Sequence, residues 1–471
     1  MLMVYFLTSQ HRYPSLCQRR KTCLNILKIA YKLAHGLLSK TCANLIEFVK
    51  NVISSPEFLN LSRKSQADFS RNRKLPFLDL LLYLLNFVKS SYQPELNKFF
   101  QILSGSLTAK KIVSKAALCK ARKKLKHESF VELNARTVDH FYQHFSPLKW
   151  MDFTLKVIDG STVKLPDYQE IAEHFGAWHP RQGGPVSMAR ISQLYDPLNQ
   201  VTTHAIIAPK SVGERELAAR HCELLGKSDL VLLDRGYPAF WLFVLILRQG
   251  THFCARISTK KWHIIRRFMA LEKSEQVITL TAPATSIAAC KERCLDTRPI
   301  QVRLIRIELD SGETEVLITS LLDPEEFPAH LFAELYHTRW PVEEDYKVMK
   351  CRIEIEDFSG QSVHSVYQDF HAAVFSKNIT AMLVFSTRES VEKLYDQRQL
   401  QYKINFTQAL STMRDAIVLL FQRSKRALVQ MLHDLLETIA MAVEPVRPGR
   451  KYPRNHKRSQ RKFSLCYKRT L

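Results

Sequence analysis

The sequence predicts an α/β protein in which a helical N-terminal portion precedes a body of mixed strands and helices. Three observations carry this. Residues 24–150 hold little glycine and repeat Leu, Ile and Phe at three-to-four spacing, the period of helices with one buried face. At residue 151 the texture changes to β-branched runs punctuated by Asp, Gly, Pro and Asn, as strands and turns require. Strand-like and helix-like runs then alternate to the C-terminal region. A chain of 471 residues with 46% hydrophobic content has material for two to four domains and is not a disordered protein.

In the N-terminal portion, "PFLDLLLYLLNFV" (Pro76–Val88) is too short to span a bilayer and contains Asp79, so it reads as a core helix. "LNKFFQILSGSLTAKKIV" reads as a helix followed by a Gly/Ser turn. Ser114 can then cap one long helix, "KAALCKARKKLKHESFVELNARTVDHFY". Its first half carries Lys115, Lys120, Arg122, Lys123, Lys124 and Lys126. Helix, turn, basic helix is the outline of a helix-turn-helix reader of DNA, and equally of a basic surface helix in a bundle.

Past residue 150, "FTLKVIDGSTVKL" predicts a strand that ends at an acid and a turn. "ARISQLYDPLNQVTTHAIIAP" predicts two strands joined at Asp-Pro/Asn, and "ERELAARHCELLG" a short helix. "DLVLLDRGYPAFWLFVLILRQGTHFCARI" reads as strand, turn, helix, strand. Residues 260–320 read mainly as strands, closing in a hairpin around Ser311-Gly312. The pattern is helical from Pro328 to about Lys350, from about Ser365 to Ser386, and from Phe406 to Val443. "RPGRKYPRNHKRSQRKFSLCYKRTL" is a charge run with little periodicity, expected to be disordered until it meets a phosphate backbone.

The charge is polarised. The net is +24, of which residues 1–150 carry +17 and residues 446–471 carry +10, leaving about −3 between them. Basic ends around a near-neutral body favour a nucleic-acid partner over a membrane. The ten cysteines form no C-x-x-C pair, and Cys290 and Cys294 lack a His/Cys partner pair at zinc spacing. Free thiols in a reducing cytoplasm are expected, at the nucleoid if DNA is the partner. The start has an apolar run but no charged region before it, so it is a poor signal peptide. No P-loop and no G-x-G-x-x-G is present, which leaves a nucleotide cofactor without support.

Two acids follow apolar strand-like runs: Asp159 after "LKVI", directly before Gly160, and Asp234 after "LVLL", before Arg235-Gly236-Tyr237. One such Asp-Gly is an ordinary turn; two in one region suggest carboxylates at a sheet edge. Then "YHTRWPVEEDYKVMK" sets Tyr336, Arg339, Glu343 and Lys350 within a stripe about 60° wide and about 21 Å long on a continuous helix. Pro341 either kinks that helix or begins a fresh one after Trp340. The bland reading of the stripe is helix-surface salt bridging. Glu344 and Asp345 compete with Glu343 as acids but do not share the stripe.

Y336-HT-R339-WPV-E343-EDYKVM-K350 resembles the Tyr-x2-Arg-x3-Glu-x6-Lys signature of the IS4 family of DDE transposases, with no departure in spacing. "VIDGS" and "LLDRGY" resemble that family's two acid motifs, and "EIEDFSGQSVHSVYQDFHAAVFSKNI" its continuation. The resemblance implies an RNase H-like core, a mixed five-stranded sheet flanked by helices, with a β-rich insertion between the second Asp and the Glu. It divides the chain into a helical DNA-binding domain (1–150), the core in two parts (151–259 and 326–390), the insertion (260–325), C-terminal helices (391–445) and a basic tail (446–471).

The resemblance further implies a DNA-cutting and strand-transferring enzyme of an insertion sequence, working by cut-and-paste through a hairpin. Asp159, Asp234 and Glu343 would be the catalytic acids and would hold two Mg²⁺, for which Mn²⁺ can substitute. Tyr336, Arg339 and Lys350 would contact phosphates near the cut. The N-terminal domain, through Lys115, Lys120, Arg122, Lys123 and Lys124, would read terminal inverted repeats. Partners would be double-stranded DNA (transposon ends and target) and a second copy of the chain in a synaptic homodimer, without a membrane. The family's base-stacking tryptophan cannot be assigned between Trp262 and Trp340. Two other readings compete: a structure-selective nuclease of the same fold, and a relic that binds repeats without cutting.

Overall fold

The computed structural model describes residues 40–447, except 72, 88–89, 109, 180–183, 261, 272, 310–311 and 423–424. The apolar start and the basic tail from residue 448 lie outside the described residues. Among the described residues six helices come first: α1 (40–54), α2 (Pro56–Ser62), α3 (Phe77–Leu85), α4 (Tyr92–Ser104), α5 (Lys115–Arg122) and α6 (Glu128–His144). The apolar run at 76–88 is α3, with seven of its nine residues buried. Gly105 ends α4 in the left-handed conformation that a glycine adopts without strain, φ 61°.

The expected single helix from Ser114 to Tyr142 is two helices. Ser114 does cap the first, its Oγ accepting from the Ala117 N–H. The backbone then leaves the helix to pair with another segment. The Lys126 N–H donates to Ser62 O at 2.8 Å, and Lys124 O accepts from the Lys64 N–H at 3.0 Å. These bonds seat Leu125 in the core. What remains, α5, is eight residues long.

The body holds β1 (Thr154–Lys164), α7 (Gln169–Phe175), β2 (Ala177–Trp178), β3 (Val186–Asp196), β4 (Val201–Pro209), α8 (Glu214–Cys222), β5 (Asp229–Leu233), α9 (Phe240–Arg248) and β6 (His252–Ile257). It continues with α10 (His263–Ala270), β7 (Glu275–Leu280), α11 (Ala284–Glu292), β8 (Ile300–Glu308) and β9 (Thr314–Thr319). These strands form one nine-stranded sheet in the order β2-β3-β1-β5-β6-β9-β8-β7, with β4 also on β3. β1, β5 and β6 are parallel; β3 runs antiparallel to β1, and β4 to β3. β5, "DLVLL", is buried along its whole length, as a central parallel strand covered on both faces must be.

Two expectations are corrected here. β1 does not end at Asp159: its antiparallel pairing with β3 runs on to Lys164, so Asp159-Gly160 lies within a strand and forms no turn. Residues 260–320 are not mainly strand, because α10 and α11 alternate with β7 and the β8–β9 hairpin. The strands of that stretch also extend the main sheet, through β9 on β6.

The remaining elements are α12 (Leu331–His337), α13 (Pro341–Cys351), α14 (Val363–Tyr395), β10 (Tyr402–Ile404), α15 (Phe406–Gln422), α16 (Lys425–Met441) and β11 (Val443–Pro445). α14, opened by a Ser362/Ser365 capping box, is 33 residues long and buried on most sides. Its polar residues are paired inside. Asn378 donates to Asn134 Oδ1 on α6 and to Thr202 O on β4, and Lys377 Nζ lies 2.5 Å from Asp345 Oδ1 on α13. The N-terminal helices therefore share one apolar core with the sheet and α14. Among the described residues no helix is long and apolar enough to cross a membrane.

Candidate active site

Strand register brings the two aspartates together. Ile158 and Leu233 are partners in the parallel β1–β5 pairing, and they are its last pair. Asp159 and Asp234 are the next residue on each strand, so they leave the carboxyl edge side by side, at the strand spacing of about 4.8 Å. In open α/β sheets this edge is where ligands bind.

Gly160 lets a neighbour approach this edge closely. A Cβ on Gly160 would lie 3.3 Å from the Tyr237 hydroxyl and 3.5 Å from Glu214 Cγ, and one on Gly236 4.0 Å from Glu214 Oε2. The glycine of "DGS" is thus a spacer for Tyr237, whereas a methyl at Gly236 would make only ordinary contact with Glu214. Glu214 itself pairs with Arg190 at 2.9 Å.

α12 and α13 bring the rest. Pro341 stands in the first turn of α13, so it opens a new helix, and the expected continuous stripe is broken at Thr338–Trp340. Its residues still converge on the sheet edge. The Tyr336 hydroxyl donates to Asp234 Oδ1 at 3.2 Å and lies 3.4 Å from Leu233 O. Arg339 is buried under the Tyr336 ring and donates from Nη2 to Glu343 Oε1 at 2.9 Å. Lys350 Nζ donates to Ser161 Oγ at 2.7 Å.

The two competing acids are otherwise engaged. Asp345 is buried against Lys377, and Glu344 is exposed beside Lys347. Of the tryptophans, Trp262 is partly buried on a second apolar cluster, whereas Trp340 is half-exposed, next to Arg339.

The field at this edge is strong. Burial pushes the Asp159 carboxyl up to about 6. The Gly160 N–H and Arg339 oppose that rise, while Asp234 and Glu343 add to it. Burial also raises Tyr336, helped by Asp234. Burial works against the charge on Arg339, but Tyr336, Glu343, Asp234 and Asp159 hold it above its ordinary value. Lys350 is lowered by burial, with Glu356 opposing.

Sequence reasoning missed several residues here. Arg256 on β6 reaches Asp234 Oδ1 at 3.2 Å and Glu315 Oε1 at 2.5 Å. Tyr346 donates from its hydroxyl to Asp159 O at 2.7 Å. Tyr346 stands inside the quoted motif; Arg256 had no local signal, since only sheet order places β6 beside β5.

The donor set suits a hard divalent cation. It is all carboxylate, and Asp159 is a buried acid with two like charges nearby, a group whose ionised form a cation would favour. Among the described residues, no three acidic, imidazole or thiol groups stand close enough to hold one ion as they are. Tyr336 and Arg256 hold Asp234, and Arg339 holds Glu343, in that arrangement.

The N-terminal candidates divide. Arg122 is not available to DNA: it is buried, and its guanidinium donates to Gln368, Tyr92, Ser359, Ser365 O and Asp369. Lys115, Lys120 and Lys123 are exposed and Lys124 half-buried beside Asp68, at 3.1 Å. Lys120 and Lys124 line a groove of about 1070 Å³ with Arg71, Arg73, Lys74 and Lys111, and Asp68 is the one acid among its lining residues.

Residues 150–379 match the transposase DDE domain family. The chain is 22% identical over 408 residues, 85% of its length and 89% of the other's, to the transposase InsG for insertion sequence element IS4 of Escherichia coli (strain K12). Among solved structures, the piggyBac transposase synaptic complex with hairpin DNA covers 84% of this chain and 85% of that one, at 10% identity and a TM-score of 0.41, too loose a likeness to locate any residue. The matched stretch runs from the strand that carries Asp159 past the helix that carries Glu343 and Lys350, so residues 150–379 are a transposase DDE domain, and the chain as a whole is similar to the IS4 transposase.

Proposed function

We propose that this transposase cuts and rejoins DNA at the terminal inverted repeats of its insertion sequence, by cut-and-paste through a hairpin. One observation carries the reading: Asp159 and Asp234 leave adjacent parallel strands in one register, and Glu343 is held to the same edge by Arg339. The strand order β4-β3-β1-β5-β6, with β3 alone reversed against its neighbours, supports an RNase H-like core. The strands from β7 to β9 with α10 and α11 then make up the insertion.

Asp159, Asp234 and Glu343 would hold two Mg²⁺ ions. Such a pair supplies an activated water or 3′-OH and stabilises the leaving oxygen of an in-line displacement. The protein's own groups do the rest. Arg339 offers a planar fork to a phosphate and Lys350 a point charge. The Tyr336 hydroxyl orients Asp234 and can donate to a phosphate oxygen. Trp340, exposed beside Arg339, offers a ring at the rim. The basic groove, with Lys115 and Lys123 nearby, would hold the phosphate backbone of an end, and synapsis of two ends would require a dimer on DNA.

The test is cleavage of an end-labelled repeat with Mg²⁺ on denaturing gels, wild type beside Glu343→Gln. Cutting at the repeat boundary by wild type alone, with a hairpin band, is expected. Binding without cutting by both proteins, with Mn²⁺ also tried, would instead identify a DNA-binding relic.

A further inference from the structure

Two side chains, neither in the acid set nor among the cations, converge on the main chain of Asp159. The Tyr346 hydroxyl donates to Asp159 O at 2.7 Å, and Ser192 Oγ donates to the same oxygen at 3.2 Å. Both donors are buried. Behind Ser192 stands a pair of histidines. His221 Nε2 lies 2.9 Å from Ser192 Oγ, and His221 Nδ1 lies 2.9 Å from His204 Nδ1.

The protons in this chain can be placed by counting. A serine hydroxyl has one proton, and the assignment that satisfies Asp159 O, which can only accept, gives it to that oxygen. His221 Nε2 must therefore be the donor to Ser192 Oγ. A neutral His221 then has a bare Nδ1, so the proton between the rings belongs to His204 Nδ1. Burial keeps both rings neutral, lowering His204 to about 4 and His221 well below its ordinary value, so the arrangement stands across the neutral range.

The position explains the need. Ile158 is the last β1 residue that β5 pairs with, so Asp159 is the first without a strand on that side. Gly160 follows it, the residue with the most backbone freedom. Asp234 and Glu343 repel the Asp159 carboxylate. β3 pairs with Asp159 on its other side, and the two donors add a second hold at a position that precedes a glycine and stands beside two like charges.

We infer that Tyr346 and the Ser192–His221–His204 chain are positioning residues, which clamp the Asp159 carbonyl so that its carboxylate stays in place to share a divalent cation with Asp234 and Glu343. This rests on the proposed function, in that Asp159 is taken as one of the metal-holding acids.

Tyr346→Phe deletes one donor and leaves the fold's apolar contacts intact; Ser192→Ala deletes the other and also leaves the buried His221 Nε2–H without its acceptor, so Tyr346→Phe is the primary test. Three quantities separate positioning from structure: the Mg²⁺ concentration for half-maximal end cleavage, the rise in melting midpoint that Mg²⁺ alone produces without DNA, and the affinity for the end duplex. In Tyr346→Phe the half-maximal Mg²⁺ should rise about tenfold or more, since small displacements of a catalytic group cost up to about a hundredfold. The Mg²⁺-induced melting shift should shrink, DNA affinity should hold, and much of the rate should return at high Mg²⁺. Ser192→Ala should act in the same direction, and the double variant more strongly than either.

A lower melting midpoint with an unchanged Mg²⁺ requirement and an unchanged Mg²⁺ shift would overturn the clamp and leave the proposed function standing. A wild type that neither cuts nor responds to Mg²⁺ would sink the functional reading, and the clamp's role with it.

Discussion

Arg122 decides between two roles for the basic helix α5. As a DNA contact, its loss would weaken binding and leave stability alone. In the fold it is buried, and its guanidinium hydrogen-bonds across to α4, the 359 loop and α14, including Nη2 to Asp369 Oδ1 at 2.5 Å. Asp369 also accepts from the Ser359 N–H at 2.7 Å, so that loop hangs from the same pair. Removing one partner of a buried ion pair leaves the other charged and unpaired, at a cost of about 3–5 kcal/mol. Arg122→Ala is therefore expected to lower the melting midpoint by roughly 3–5 °C, since the unfolding entropy of about 2.1 cal/mol/K per residue makes a large chain respond by only about 1 °C for each kcal/mol. Asp369→Asn added to it should recover part of the loss, because the stranded charge is gone. The assay is thermal melting by circular dichroism, with Lys120→Ala, an exposed neighbour, as the control expected to stay within about 1 °C. If Arg122→Ala instead melts with wild type and loses DNA affinity as Lys120→Ala does, Arg122 is a DNA contact and not a structural cation.

The other expectations concern the acids and the groove. Asp159 has a folded pKa of about 6 against an ordinary 3.8, so folding favours its protonated form. The stability it contributes is present at low pH and lost as pH rises through about 6. In metal-free buffer Asp159→Asn, which copies the neutral acid, should melt above wild type at pH 8, with the gap closing towards pH 4; an equal gap at both pH values would show that the carboxyl does not titrate there. Replacing Arg71, Lys74 and Lys111 by Glu should weaken duplex binding and flatten its dependence on log salt by between about two and three, at about 0.9 for each phosphate no longer neutralised; an unchanged slope would place the DNA elsewhere. Gly160→Ala should slow cutting more than it weakens binding, since the new methyl would stand 3.3 Å from the Tyr237 hydroxyl at the acid edge. Equal losses of binding and cutting would point to general misfolding.

Much of this was legible in the sequence, and the gaps have physical causes. The apolar run at 76–88, the Asp-Pro/Asn hairpin and the strand-helix-strand from 229 to 257 follow from local period and turn chemistry, and the fold keeps them. The break at 123–127 was hidden, because it depends on pairing with Ser62 and Lys64 about sixty residues earlier. Asp159-Gly160 looked like a turn because a lone strand followed by glycine looks like one; only β3, pairing past it, makes the chain continue. Arg122 looked like a surface cation for the same reason, since its acid partner lies on α14.

For "YHTRWPVEEDYKVMK", an ordinary salt-bridged helix and a site prove not to be alternatives. Arg339 and Glu343 do form the i,i+4 pair of a helix surface, at 2.9 Å. Yet Arg339 is buried, and Asp234 and Asp159 act on it as well. An exposed pair of this kind contributes tenths of a kcal/mol and gives no reason to bury a guanidinium. Burial next to three carboxylates does give one. The cation offsets their repulsion, together with Arg256 beside Asp234. On the proposed reading, a phosphate that draws Arg339 away would release Glu343 to a metal. DNA and Mg²⁺ would then favour each other's binding, a coupling that must be equal in both directions.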